Sequence, residues 1–399
     1  MNVATIARVP FEDGRFYADN PFPTFERLRE EEPVYYREDL NTWFLTRYED
    51  VVTVSRNARV FSSASGVLLK QLTDKESSEG YFEVDTVATT DPPKHGELRR
   101  MVAPAFMPRR VAALETQVRE LCKGLVADLP AEEDVDFLHV VAEVVPLVTI
   151  ANILGVTGYN IADISRWSLE IVRLAQNLSP EERQESLANF RQLTAYVAEQ
   201  IAYKRAHPGE DLISTLLAVE PKLSNEDILA WAGLMMSAGH ETTQSLIGNI
   251  ADVLDVFPDQ QAAVSADPGK IPATIDETLR WRGVVTGFGR RVTSDFELRG
   301  KNIQAGSSVF MLYMSANRDP RVFSNPEQFD ISEPRSQDNL AFGIGNHYCI
   351  GHAVARMETR VLFEEIFERF KGWSVVSRDH LASPLRIGNA SLTVKFHER

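Results

Sequence analysis

The chain has 399 residues, 44% of them apolar and 25% charged, the composition of a globular protein rather than a disordered or fibrous one. Its 42 Lys and Arg against 57 Asp and Glu leave a net charge of −15, which argues against a surface built to grip nucleic-acid phosphates or anionic lipid. Two cysteines exclude a disulfide framework or a cysteine-built zinc site. With no signal-peptide pattern at the N-terminus and no apolar run near ~18 residues, a soluble cytoplasmic protein is expected, with no nucleic-acid or membrane partner.

Short strand-forming runs come first, at 34–36 and 43–46, followed by a helical pattern from Glu49. Residues 63–90 mix Ser, Gly, Lys and Glu with Tyr81 and Phe82 and show no period, and a loop of that length in a compact chain is often functional. Asp91-Pro92-Pro93 then opens a helix on which His95 and Arg99, four apart, share a face. Between Asp91 and Arg110 the five bases Lys94, Arg99, Arg100, Arg109 and Arg110 face only Asp91 and Glu97, a local excess of 5 − 2 = 3 positive charges.

Helical periodicity dominates from about Val111 to Phe257. Cys122 lies inside it without any special context and is expected to be structural. The most apolar stretch, 140–156, holds Glu143, Pro146 and Asn152, so it predicts a core helix. Ser224 and Asp227 have the spacing of a reciprocal N-terminal cap. The helix they open carries Ala238-Gly239-His240-Glu241-Thr242-Thr243. A mid-helix glycine costs roughly 1 kcal/mol relative to alanine, so a neighbour is expected to exploit the missing side chain of Gly239. Thr242 can bond the carbonyl one turn earlier and loosen the helix. His-Glu here is no zinc-protease signature, because Gln244 stands where the second histidine would be needed. Further on, Glu277 and Arg280 fall on one helix face, where such a pair is ordinarily worth a few tenths of a kcal/mol.

Strand-forming runs return at 308–313, 373–376 and 392–396. Between them, two glycines precede Cys349 and one follows it in Leu340-Ala341-Phe342-Gly343-Ile344-Gly345-Asn346-His347-Tyr348-Cys349-Ile350-Gly351. Glycines there leave room for a close neighbour. Ile350, Val354, Met357, Val361 and Leu362 recur at helical spacing, so Cys349 is expected to open a helix whose free N–H groups favour a thiolate. The architecture expected is mainly α with small β-sheets, residues 1–399 forming one domain.

The pattern Phe342-x-x-Gly345-x-x-x-Cys349-x-Gly351 resembles the haem-binding loop of the cytochrome P450 family, of the soluble bacterial type. Ala238 to Thr243, Glu277 to Arg280, 91–100, and 316–320 with 326–330 fit the same family, so the likeness spans essentially the whole chain. It implies a single-domain cytochrome P450 fold holding haem b, with Cys349 as the metal ligand, the thiolate type that favours O–O cleavage. Phe342 would pack near the sulfur. Thr242 would hold dioxygen and its water, and Glu241 would feed protons to it. His95, Arg99, Arg290 and His347 would bind the haem propionates, with Arg291 exposed. Glu277 and Arg280 would form a buried ion pair, whose usual third member, an arginine, is replaced here by Glu333, with Arg335 two residues on.

The same resemblance implies a monooxygenase that inserts one atom of O2 into a small, mostly apolar organic substrate. Leu234, Met235, Ala238, Thr286, Gly287, Phe288 and Ile387 would line its pocket, with 63–90 as lid. No flavin or nicotinamide fingerprint is present, so electrons would come from a ferredoxin or flavodoxin-type donor docking near Cys349, where the basic residues of 94–110 and Arg356 could meet an acidic partner. A haem-thiolate peroxygenase or nitric-oxide reductase, and a non-catalytic haem sensor, are the alternatives. The intact Glu241-Thr242 pair argues for oxygen activation.

Overall fold

The computed structural model describes residue 6 and residues 8–74, 85–173, 178–220, 222–332 and 338–399. Tyr81, Phe82, Glu333 and Arg335 lie outside them. Ten strands are described: β1 (Val34–Arg37), β2 (Thr42–Leu45), β3 (Phe61–Ser62), β4 (Asp134–Asp136), β5 (Gly287–Val292), β6 (Phe296–Leu298), β7 (Lys301–Ile303), β8 (Ser308–Leu312), β9 (Phe370–His380) and β10 (Asn389–Glu398). The helices that position the site are α1 (Tyr48–Arg56), α2 (Lys94–Val102), α3 (Pro108–Ala127), α4 (Val144–Leu154), α5 (Ile161–Arg173), α6 (Pro180–Ala206), α7 (Asn225–Val256), α8 (Ile271–Trp281) and α9 (His352–Arg369).

The strands make a five-stranded sheet in the order β1-β2-β8-β5-β3, a three-stranded sheet β4-β10-β9 and the hairpin β6-β7. In the first sheet only β2 and β8 run parallel. β8 reads Ser-Val-Phe-Met-Leu with every residue buried, as a strand covered on both faces should. β9 and β10 run well beyond their apolar centres. Their register extends from Asn389 opposite His380 to Glu398 opposite Phe370, and cross-strand pairing carries the polar ends that hydrophobic pattern alone leaves as loop.

α7 is the axis of the helical part. Ser224 Oγ accepts from Asp227 N and Asp227 Oδ2 accepts from Ser224 N, both at 3.0 Å, so the reciprocal cap is formed. Over most of its length α7 is buried on all sides, the mark of a core helix. Gly239 lets α4 approach closely: a Cβ there would stand 3.0 Å from Cγ1 and Cδ1 of Ile150. The apolar stretch near 140–156 is therefore the partner of α7, with Val145, Leu147, Ile150 and Leu154 in the same core as Trp231, Met236, Leu246, Leu362 and Phe363. Each such side chain, fully buried, contributes about 1.5–3 kcal/mol. Cys122 is wholly buried in this core, and burial pushes its thiol up to about 12, in keeping with a structural role.

Glu277 and Arg280 on α8 form a bidentate pair, Nη2 to Oε1 2.7 Å and Nε to Oε2 2.8 Å, with side chains 2% and 0% exposed. Arg280 also donates to the carbonyls of Asn317, Pro326 and Gln328, while Asp330 N donates to Glu277. Backbone groups of 317–330 thus complete the network around the pair, and the segment leading to Cys349 is pinned to α8. Among the described residues, no helix is long and apolar enough to cross a membrane.

Candidate active site

A cavity with about 1110 Å³ of empty space, partly open to solvent, lies between α7, the approach to β5 and the loop before α9. Ala238, Thr242, Thr243 and Leu246 come from α7; Val284, Val285, Phe288 and Arg290 line the side; Phe342, Gly343 and Cys349 form the floor.

The cysteine loop is closed by its own backbone. Cys349 N donates to Phe342 O at 2.9 Å and Gly343 N to Leu340 O at 2.8 Å. Gly345 has φ +78°, and a Cβ there would sit 3.0 Å from Ser55 O of α1, so both conformation and space require glycine. α9 starts at His352 rather than at Cys349, because Gly351 is its N-terminal cap residue and 348–350 are still non-helical. The sulfur nevertheless receives the N–H groups of Gly351 and His352. It opens to the cavity and is walled by protein elsewhere. That burial pushes the thiol up, and the two N–H groups and the Arg99 and Arg356 guanidiniums oppose it without overcoming it. Arg356 lies over the Phe342 ring at 4.4 Å and pairs with Asp276 at 2.9 Å.

Bases converge beside this floor. His95 and His347 face each other at a ring distance of 4.4 Å. His95 is buried, its Nε2 has no hydrogen-bond partner, and burial with the Arg99 charge lowers its pKa. Arg290 is buried and donates to Gly289 O at 2.7 Å, and no other hydrogen bond among the described residues engages its fork. Arg99 faces the cavity and reaches Asn346 O at 3.4 Å. His347 differs: Nδ1 bonds Val87 O at 3.0 Å and Nε2 meets Ser63 Oγ at 3.1 Å, and burial with Arg290 nearby holds its pKa down to about 3, so it is neutral.

On the α7 wall, the Thr242 hydroxyl donates to Ala238 O at 2.7 Å, so its free lone pairs face the cavity as acceptors. Glu241 is buried, and Arg386 Nη1 stands 3.3 Å from its Oε2. Burial pushes its carboxyl up to about 7 against the pull of Arg386. Next to it His240 is neutral, held down to about 3 by burial and Arg386. Behind Thr243 lies Glu358 of α9, fully buried, hydrogen-bonded to Thr149 and Thr243 and pushed up to about 8 by burial.

The family model described as Cytochrome P450 matches residues 270–386. The chain is 35% identical over 373 residues to cytochrome P450 107B1 of Saccharopolyspora erythraea, covering 90% of this chain and 89% of that protein. The chain belongs to the cytochrome P450 family. Its cytochrome P450 relatives include the vitamin D(3) 25-hydroxylase of Pseudonocardia autotrophica, 34% identical over 361 residues, covering 89% of this chain and 87% of the relative. The solved P450 EryK mutant in complex with erythromycin B superposes with a TM-score of 0.85 at 31% identity, covering 95% and 97% of the two chains. The family is one of haem monooxygenases, and the fold expected from the sequence is the one observed.

The residues present fit haem. A cysteine sulfur opens on the cavity floor, and a buried imidazole nitrogen without a partner and two guanidiniums converge on one side. A carboxylate pair brought there would meet donors prepared for charge-assisted bonds. Of the four bases expected on such groups, His95, Arg99 and Arg290 have donors to spare, whereas both His347 nitrogens are already engaged.

The pocket expectation needs correction. Ala238 and Phe288 line the cavity; the other five do not. Met235 packs into the helical core, with Leu234 partly buried against it. Thr286 is fully buried and donates its hydroxyl to Pro384 O at 2.7 Å. Gly287 is crowded by the paired strand, where any Cβ would meet Met311 O. Ile387 lines a separate cavity beside Tyr17, Trp281 and Arg282. The lining instead includes Val284 and Val285, which had no sequence signal beyond being apolar, and Val67, Val87 and Ala88 from the 63–90 stretch expected as its lid. Arg291, expected to be exposed, is partly buried and donates to Leu72 O and Gly306 O.

Arg386 and Glu358 were both missed. Glu358 carried a signal: it follows Val354 by four residues and so falls on the apolar stripe of α9, where a carboxylate is out of place. Arg386 carried none, since a single arginine in a C-terminal loop is ordinarily a solvated charge.

Proposed function

We propose that this chain is a haem-thiolate monooxygenase for a small, mostly apolar organic molecule, fed by an external ferredoxin-type donor. The observation that carries it is a single cavity bounded below by the Cys349 sulfur and above by the Thr242 hydroxyl. Cys349 would hold the haem iron through its thiolate, and His95, Arg99 and Arg290 would take the propionates, with Phe342 beside the sulfur. When bound, haem supplies dioxygen activation and the transfer of one oxygen atom to substrate.

The protein's own share is positioning and proton supply. Val67, Leu246, Val284, Val285 and Phe288 give an apolar wall that orients a carbon skeleton and excludes water. The relative named for vitamin D(3) 25-hydroxylation supports an apolar substrate class. Thr242, its proton spent on Ala238 O, is left able to accept a hydrogen bond from a water entering the cavity. Glu241, with a pKa near neutrality, can pick up a proton and pass it on at physiological pH.

For the donor, the basic region is smaller than its sequence implies. Arg110 pairs with Glu210 at 2.5 Å, Arg356 with Asp276, and Arg99 turns to the cavity. Lys94, Arg100 and Arg109 remain exposed, enough to favour an acidic partner near the cysteine loop. The test is turnover of a substrate found by spin-state screening, with reduced ferredoxin under isotopically labelled O2. One labelled oxygen in the product and loss of turnover without ferredoxin are expected. Turnover by peroxide alone, with no donor dependence, would select the peroxygenase alternative.

A further inference from the structure

Arg386 sits in the turn between β9 and β10, fixed by its backbone to the cavity wall. It makes an antiparallel bridge with Val285, flanked by Thr286 N to Leu385 O at 2.9 Å and Ile387 N to Val284 O at 2.7 Å. Thr286 Oγ1 adds a bond to Pro384 O. From this fixed base the side chain crosses to α7, where one nitrogen, Nη1, serves two acceptors: Glu241 Oε2 at 3.3 Å and Glu241 O at 3.2 Å. The side chains of Arg386 and Glu241 are 19% and 6% exposed. The second carboxyl oxygen, Oε1, is buried without a hydrogen-bond partner.

We propose that Arg386 is a positioning residue for proton delivery, holding the Glu241 carboxyl against the turn between β9 and β10 and keeping it able to ionise beside Thr242. This rests on the reading of Glu241 as a proton carrier. A carboxyl this deeply buried with no cation would stay protonated and could accept nothing from solvent. A bidentate partner would hold it ionised and immobile. One shared nitrogen does neither, which suits a group that must both take and give a proton. Among the described residues, Arg386 is the charged side chain acting on Glu241, and neighbouring His240 is neutral. The sign follows: removing Arg386 removes a lowering influence, so the Glu241 titration moves up from about 7.

The test is difference infrared titration of the protonated carboxyl stretch of Glu241, assigned by its loss in Glu241→Gln. It is run on wild type and on the Arg386→Met, Arg386→Gln and Arg386→Lys variants, with the product-to-peroxide ratio during turnover. Expected is an upward shift of about 1 pH unit or more in Arg386→Met and Arg386→Gln, with more peroxide, and near-native values in Arg386→Lys. Two neutral variants guard against one failing to fold. An unmoved midpoint in a folded neutral variant would overturn the assignment to Arg386. A product-to-peroxide ratio that Glu241→Gln leaves unchanged would instead overturn the proton-carrier reading beneath it.

Discussion

Glu358 of α9 is buried against Thr149 of α4, within hydrogen-bonding reach of its hydroxyl. The Thr149 hydroxyl also bonds Val145 O at 2.8 Å, and its contact with the carboxyl lowers the Glu358 pKa without overcoming burial. Burial pushes that carboxyl up to about 8, which favours the protonated form at neutral pH.

This sets a pH dependence of stability. With a folded pKa near 8 and an unfolded value near 4.5, Glu358 is neutral in both states at low pH. As pH rises between these values, only the unfolded state ionises, and stability falls through that window. Glu358→Gln removes the term, so its melting temperature should gain on wild type steadily from pH 5 to pH 8. A difference constant across that range would mean that Glu358 is ionised when folded.

At Gly239 two effects of similar size compete. Alanine gains roughly 1 kcal/mol of helix propensity, while its Cβ presses on Ile150 at 3.0 Å. Gly239→Ala should be more favourable in an Ile150→Val background than alone. A double-mutant cycle by denaturant unfolding measures the coupling, and a value near zero would show that α4 and α7 do not meet at this point.

Glu277→Ala leaves the Arg280 guanidinium buried without its carboxylate, and also removes the acceptor of Asp330 N. Breaking a buried pair this way costs about 3–5 kcal/mol. Thermal denaturation and soluble yield should both drop sharply, and the haem content of the remaining protein with them. A variant that melts like wild type would show the pair to be dispensable.

His95 and His347 look alike in sequence but should differ in haem retention. Loss of a charge-assisted donor costs about 1.5–3 kcal/mol, so His95→Ala and Arg290→Met should speed haem transfer to apomyoglobin by roughly tenfold or more. His347→Ala should do less, because its nitrogens serve Val87 O and Ser63 Oγ. Equal effects from both histidines would contradict that division.

Much of the site was legible because its chemistry is local. The glycines around Cys349, the capping pair Ser224–Asp227 and the i, i+3 pair Glu277–Arg280 are each set by a few neighbouring residues. What stayed hidden depends on chain segments meeting across the fold. Ile387 and Arg386 are adjacent, yet the turn between β9 and β10 sends one into a separate cavity and the other to Glu241. The five missed pocket positions have the same cause, since an apolar residue one step along a strand or a third of a helical turn away faces the core instead. That Gln328 and Pro326 carbonyls complete the Glu277–Arg280 network could not be seen either, because backbone groups leave no mark in a sequence.

The most direct measurement is the absorption spectrum of the reduced, carbon-monoxide-treated protein beside its Cys349→Ser variant. The wild type should show the red-shifted carbonyl band of thiolate-ligated haem and the variant should lose it. A wild-type band at the position of histidine-ligated haem, or one that survives in Cys349→Ser, would contradict the placement of the haem on Cys349.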